Sequence, residues 1–142
     1  MTPTHILLAT DFSDPADRAC EVAKTLRESF GATVHVVHVI PRPDAEVSGG
    51  SSRVRDKQFE AYEVGLQMML EAFGRTFGPG PKVTTKLLHG RAEERILAAA
   101  HATKADLICL GTTGKGMIDR LLMGSTAQSV IRHSDVPVLT TP

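Results

Sequence analysis

The chain has 142 residues, 16 basic and 16 acidic side chains and therefore no formal net charge, and 42% hydrophobic residues. That length supplies one sizeable core and is short for two, and the charge balance argues against a general nucleic-acid or membrane-surface binder, which carries a basic excess. No apolar run approaches the ~20 residues of a membrane span.

The opening Met1-Thr2-Pro3-Thr4-His5 carries no signal-peptide n-region, so one domain over residues 1–142 in a reducing cytoplasm is expected. His5 to Thr10 (HILLAT) reads as a short buried strand. Asp11-Phe12-Ser13-Asp14-Pro15 supplies a turn, a capping side chain and a proline suited to a first helical turn. Ala19, Val22, Ala23, Leu26 and Phe30 then recur at amphipathic helical spacing, and Gly31 is the expected stop. Thr33 to Ile40 (TVHVVHVI) is β-branched and reads as a second buried strand. Pro41 to Arg55 turns polar and rich in proline, glycine and serine, a loop. Helical spacing resumes from about Val54 to Phe77 and breaks at Gly78-Pro79-Gly80-Pro81. Val83 to Leu88 is the third strand, Ala92 to Thr103 a helix, Ala105 to Leu110 the fourth strand, Gly124 to His133 a helix and Val136 to Thr140 the fifth strand. Cys20 and Cys109 lie in apolar contexts and read as small core residues; no C-x-x-C occurs.

Strands alternating with helices of this length imply parallel strands joined by right-handed crossovers. The expected fold class is therefore α/β, a three-layer, doubly wound, flavodoxin- or Rossmann-like domain with a five-stranded parallel sheet. Ligands in that architecture sit at the carboxyl ends of the strands where strand order reverses. The ends in question are Thr10-Asp11, Val39-Ile40, His89-Gly90 and Gly111 to Gly114.

The last of these carries the most chemistry. Gly111-Thr112-Thr113-Gly114-Lys115-Gly116 follows the fourth strand, and Gly124-Ser125-Thr126 opens the next helix. Glycines let a backbone approach a ligand at angles that other residues avoid, and a helix start offers free N–H groups and a positive dipole end to phosphate. The run is neither a Walker A loop nor the dinucleotide fingerprint, whose third glycine would fall on Asp119. By spacing alone, two readings stand: a phosphate-binding backbone, or turns that merely need glycine.

The pattern Gly111-x-x-Gly114-x9-Gly124-Ser125 resembles the nucleotide loop of the universal stress protein family, in its ATP-binding type. Residues 117–123 and 127–131 are similar to that family too, as are Asp135 to Leu139 near the end and Ile6 to Ser13 near the start. The resemblance spans the chain. It implies an ATP site in which Thr10 and Asp11 lie beside ribose and phosphates, with Asp11 helping to hold Mg²⁺. It implies that the main chain of Val39 meets the adenine edge. Backbone amides at Gly111, Thr112, Gly114, Gly124 and Ser125, with the hydroxyls of Ser125 and Thr126, would bind ribose and phosphate. Lys115 would offset phosphate charge, or is a solvated surface lysine. Asp11, Ser125 and Thr126 also read as helix caps. Thr113 departs from relatives that often carry histidine or arginine there, which weakens any charged loop contact and leaves the glycine spacing intact.

The histidines give no metal cluster by sequence. His35 and His38 are three apart on one strand and face opposite ways, and His5, His89, His101 and His133 belong to separate elements. Only His89, at a strand's carboxyl end, is retained as a site neighbour. No catalytic residue is identified.

The resemblance implies an ATP-binding, stress-response regulatory protein: a homodimeric nucleotide-dependent switch paired through Val136 to Thr140, whose apolar strand invites edge pairing. The competing reading of that strand is a monomeric edge guarded by Pro137 and Pro142. Two alternatives for function are a slow ATP hydrolase, for which one carboxylate and two mobile cations are thin machinery, and a nucleotide-free interaction protein. A phospho-receiver would need an acidic acceptor after strand three and a lysine after strand five; Leu88-His89-Gly90 and Leu139-Thr140-Thr141 exclude it.

Overall fold

A computed structural model of the chain describes residues 2–41, 53–113 and 122–142. The elements run β1 (His5–Ala9), α1 (Asp14–Phe30), β2 (Thr33–Ile40), α2 (Arg53–Arg75), β3 (Val83–His89), α3 (Ala92–Ala102), β4 (Leu107–Gly111), α4 (Ser125–His133) and β5 (Val138–Thr141). All four strand pairings are parallel, in the order β3-β2-β1-β4-β5. The expected doubly wound α/β architecture is therefore the one observed.

Two apolar clusters cover the two faces of the sheet. On one, Ile6, Leu8, Val34, Val36 and Cys109 pack under Ala19, Cys20 and Ala23 of α1 and Leu70 of α2. On the other, Leu7, Val37, Val39, Ile108 and Leu110 pack under Ile96 and Ala100 of α3 and Ala127 and Val130 of α4. Every second residue of a strand faces the same way, so strands buried on both sides must be apolar throughout, as HILLA and LICLG nearly are. Each such large side chain removed from water contributes about 1.5–3 kcal/mol.

Local signals explain the boundaries. The hydroxyl of Ser13 accepts the N–H of Ala16 at 3.3 Å to start α1, with Pro15 in the first turn. Gly31 ends it at φ 69°, its N–H reaching the carbonyl of Arg27 at 2.8 Å. α2 stops at Arg75, short of Phe77, because Thr76, Phe77 and Gly78 donate three residues back rather than four, to Phe73, Gly74 and Arg75. β4 starts at Leu107 rather than Ala105, whose N–H closes α3 on the carbonyl of Ala100 at 2.9 Å. β5 starts at Val138 rather than Val136, which is held in a local turn by the Ser134 hydroxyl. Of the loop expected over 41–55, residues 42–52 lie outside the described residues and 53–55 already belong to α2.

One buried polar device was not anticipated. Arg27 on α1 is only 2% exposed, and its guanidinium donates to the carbonyls of Phe77, Gly78 and Pro81. It fastens the α2–β3 turn to α1 and gives partners to carbonyls of that turn, which lies beyond the helix ladder and the strand ladder.

Candidate functional site

Strand order decides where a cleft opens. After β1 the chain moves outward through β2 to β3, then returns to the other side of β1 with β4. The helices that follow β1 and β4 lie on opposite faces, α1 on one and α4 on the other. The loops leaving these neighbouring strands therefore diverge, and a crevice forms at their carboxyl ends.

That crevice is a cleft of about 290 Å³. One wall is apolar, built from Val37, Val39, Leu110 and Ala127 together with Ala92 and Ile96 of α3. Its polar lining comes from Thr10, Asp11, Gly111, Thr112, Thr113, Gly124, Ser125 and Thr126. The sequence-predicted residues Thr10, Asp11, Val39, Gly111, Thr112, Gly124, Ser125 and Thr126 thus meet in one cavity. Gly114 and Lys115 lie outside the described residues.

The β1–α1 loop is held by short-range bonds from its own side-chain oxygens to its backbone. The hydroxyl of Thr10 accepts the N–H of Phe12 at 3.0 Å, and Asp11 Oδ1 accepts the N–H of Ser13 at 3.0 Å. Phe12 sits between them at φ 62°, a left-handed conformation that costs a non-glycine residue about 1–2 kcal/mol. Tertiary contacts hold it there: its ring lies 4.9 Å from the His38 ring and 6.0 Å from Phe73, edge-on to the latter. His38 Nδ1 donates to the carbonyl of Thr10 at 2.7 Å, an acceptor that fixes which nitrogen carries the proton. Asp11 is therefore presented at the cleft by a loop clamped from β2, and one of its oxygens already serves the backbone.

Across the cleft, α4 begins at Ser125 with Gly124 as its N-cap and with no side-chain hydrogen bond capping it. The first intrahelical bond is Gln128 N–H to the carbonyl of Gly124 at 3.0 Å. The N–H groups of Ser125, Thr126 and Ala127 precede it and have no carbonyl within the helix to meet. These donors and the helix dipole face the cavity that Ser125, Thr126 and Ala127 line. The capping roles considered for Ser125 and Thr126 are not the ones observed, since the cap is a glycine.

The glycines act for different reasons than backbone angle. Gly124 has φ −65°, open to any residue, and Gly111 is not among the positive-φ glycines of the described chain. At Gly111 the constraint is space, because an added Cβ would stand 2.7 Å from Pro15 Cβ and 2.9 Å from the Ala16 nitrogen. Helix α1 crosses that strand end so closely that only glycine fits.

Two histidine readings change. His89 does not line the cleft; its Nε2 pairs with Glu63 on α2. His38, set aside with the others, lines it and clamps the loop that bears Asp11. His5 and His35 do lie on separate strands, β1 and β2, and the pairing of those strands brings His5 Nδ1 to 3.2 Å from His35 Nε2. The α3 wall was missed as well, although a helix starting right after β3 must present its first turn at this same rim.

Comparison with known proteins agrees with this architecture. The model of the universal stress protein family matches residues 3–142. A universal stress protein of Thermus aquaticus is 39% identical over 135 residues, covering 94% of this chain and 95% of its own length. The universal stress protein UspA from Lactobacillus plantarum has the same fold, with TM-score 0.80 at 23% identity over 98% of this chain and 97% of that one. A universal stress protein from Archaeoglobus fulgidus, solved in complex with dAMP, superposes with TM-score 0.65 at 26% identity over the whole of both chains.

Proposed function

The chain belongs to the universal stress protein family, and on that footing we propose that it is an ATP-binding regulatory protein of the cytoplasm, working as a homodimeric switch in a stress response. The observation that carries the reading is the start of α4, whose first N–H groups lie outside the helix's own ladder and, with no side-chain cap from Gly124, open into a cleft lined by both apolar and polar residues. Such a cleft suits a ligand that is flat and apolar at one end and anionic at the other. The adenine lies against Val37, Val39, Ala92 and Ile96, with the main chain of Val39 at its edge. The ribose and phosphates lie along Thr10, Gly111, Thr112, Gly124, Ser125 and Thr126, and the 114–115 segment adds the Gly114 amide and the Lys115 charge. Asp11 holds Mg²⁺ against the phosphates. The relative bound to dAMP supports an adenine nucleotide as the class of ligand.

Retention of ATP fits better than turnover. Phosphoryl transfer needs a positioned nucleophile, metal ligands and charge clamps. Among the described cleft residues Asp11 is the only carboxylate, and none is lysine or arginine. Hydrolysis, if assayed, is expected far below the ~10 per second typical of enzymes.

The dimer forms through β5, which is an edge of the sheet and offers its free side to a second copy. The testing experiment is mass spectrometry of small molecules released from freshly purified, denatured protein, followed by calorimetric titration with ATP, ADP and AMP with and without Mg²⁺. Carried-through ATP, or a dissociation constant near micromolar (about −8 kcal/mol), is the expected result. No released nucleotide and no heat would overturn the reading in favour of a nucleotide-free interaction protein.

A further inference from the structure

We infer that His5 and His35 form a proton-sharing pair that makes the N-terminal end of the sheet acid-sensitive, so that the fold loosens where β1, β2 and β3 meet as pH falls through the histidine range. The two rings are nearly parallel, 9° apart with centroids at 5.5 Å, and His5 Nδ1 faces His35 Nε2 at 3.2 Å. His35 Nδ1 continues the line to Thr84 Oγ1 at 2.8 Å on β3. In the neutral pair the bonds run either from His5 through His35 to Thr84 or in reverse, and in both directions one proton lies between the facing nitrogens. Protonating both rings puts two N–H donors and two positive charges against each other. No tautomer relieves that conflict.

The surroundings deepen it. Lys82, just before β3, acts on His35 with the same sign as His5. Lys86 stands two residues beyond Thr84 on the same face of β3. On the β4 side Asp106 carries a negative charge, but its oxygens are taken up by Thr4 and the His5 N–H. α3 covers this face through Ile96 and Ala100 and carries His101 in its last turn. Burial, then His5 and Lys82, holds His35 below the ordinary histidine value. The unfolded chain therefore binds more protons than the folded one just below that ordinary value. The pair's stabilisation is in place above it and is lost as pH falls. Asp106 is held below the ordinary carboxylate range by its bonds to Thr4 and His5, against the opposing effect of burial, so its own loss belongs to a more acidic window.

The test is urea unfolding of the full chain from about pH 8 to pH 5, compared with His5→Gln, His35→Gln and the exposed control His133→Gln. The midpoint of the parent and of the control should fall with acid, and that dependence should flatten in both pair variants. Amide exchange in β1 and β2 should quicken with acid more than exchange in β4, after correction for intrinsic rates. A parent midpoint that holds steady, or pair variants that keep the parent's slope, would overturn the inference. Should a variant fail to fold, ¹⁵N spectra of the parent imidazoles at neutral pH decide. One protonated nitrogen between His5 Nδ1 and His35 Nε2 is required, and two or none refutes the pair.

Discussion

Gly124 donates its N–H to the carbonyl of Thr112 at 2.6 Å, and Thr112 in turn donates its N–H to the carbonyl of Thr141 at 2.8 Å. The loop joining β4 to α4 is thus closed at its neck by a backbone bond, and the start of α4 is registered against the end of β5.

That closure separates two glycines that look alike in sequence. Gly124 needs no unusual angle, so Gly124→Val should cost no more than about 1 kcal/mol of stability while its branched side chain obstructs the end of the cleft proposed for phosphate. Gly111→Ala adds one methyl against Pro15 and the Ala16 backbone, which cannot swing aside, and should cost about 1–3 kcal/mol. Urea midpoints and nucleotide titration of the two variants check this. A Gly124→Val protein that binds ATP like the parent would move the phosphate site elsewhere.

Asp11 has one observed task, the bond to the Ser13 N–H, and one proposed task, the cation, which mutation can divide. Asp11→Asn keeps an oxygen for the Ser13 N–H and removes the charge; Asp11→Ala removes both. Asn should fold with near-parental stability yet lose the Mg²⁺-dependent part of nucleotide affinity. Ala should lose that part and a further ~0.5–1.5 kcal/mol of stability with the backbone bond. Equal losses of affinity with and without Mg²⁺ in both variants would remove the cation role.

Much of this was legible because the physics is local. Ser13, Pro15 and Gly31 punctuate α1 with residues whose preferences are short-range, and the apolar runs announce strands buried on both faces. The alternation of strands and helices then dictates which strand ends form the cleft, which is why Asp11, Gly111 and Ser125 could be gathered from sequence. What escaped depends on tertiary geometry. No spacing shows that α1 passes within a methyl group of Gly111, that His38 reaches the Thr10 carbonyl, or that Arg27 finds three carbonyls 50 to 54 positions away. His5 and His35 are thirty residues apart, and only the β1–β2 register makes them neighbours.

The cysteines should be chemically silent in the native state. Burial pushes the Cys109 thiol up to about 12 and, with smaller opposing and reinforcing effects from Lys24, Glu21 and Asp17, the Cys20 thiol up to about 11. At pH 8 that leaves roughly one thiolate in a thousand or fewer, and the thiolate is the reactive form. An aromatic disulfide reagent should label neither residue in native protein and both in urea. Rapid native labelling of either would show that its helix or strand opens readily.

The interface proposed at β5 can be tested without disturbing the sheet that strand belongs to. Pro137 and Thr141 offer their carbonyls to Ile108 and Thr112 of the β4 side, and parallel ladders alternate. The N–H and C=O of Val138 and Thr140 therefore point to the free edge. A proline at an edge position whose N–H faces outward costs no ladder bond, so Thr140→Pro should keep the fold and remove one outward donor. Val138→Lys adds a charge that two copies related by symmetry would bring together. Light scattering should report a dimer for the parent and monomers for both variants, with circular dichroism unchanged. A dimer that survives both substitutions would place the contact on another face, and a parent that is monomeric at every concentration would end the switch reading while leaving the nucleotide site untouched.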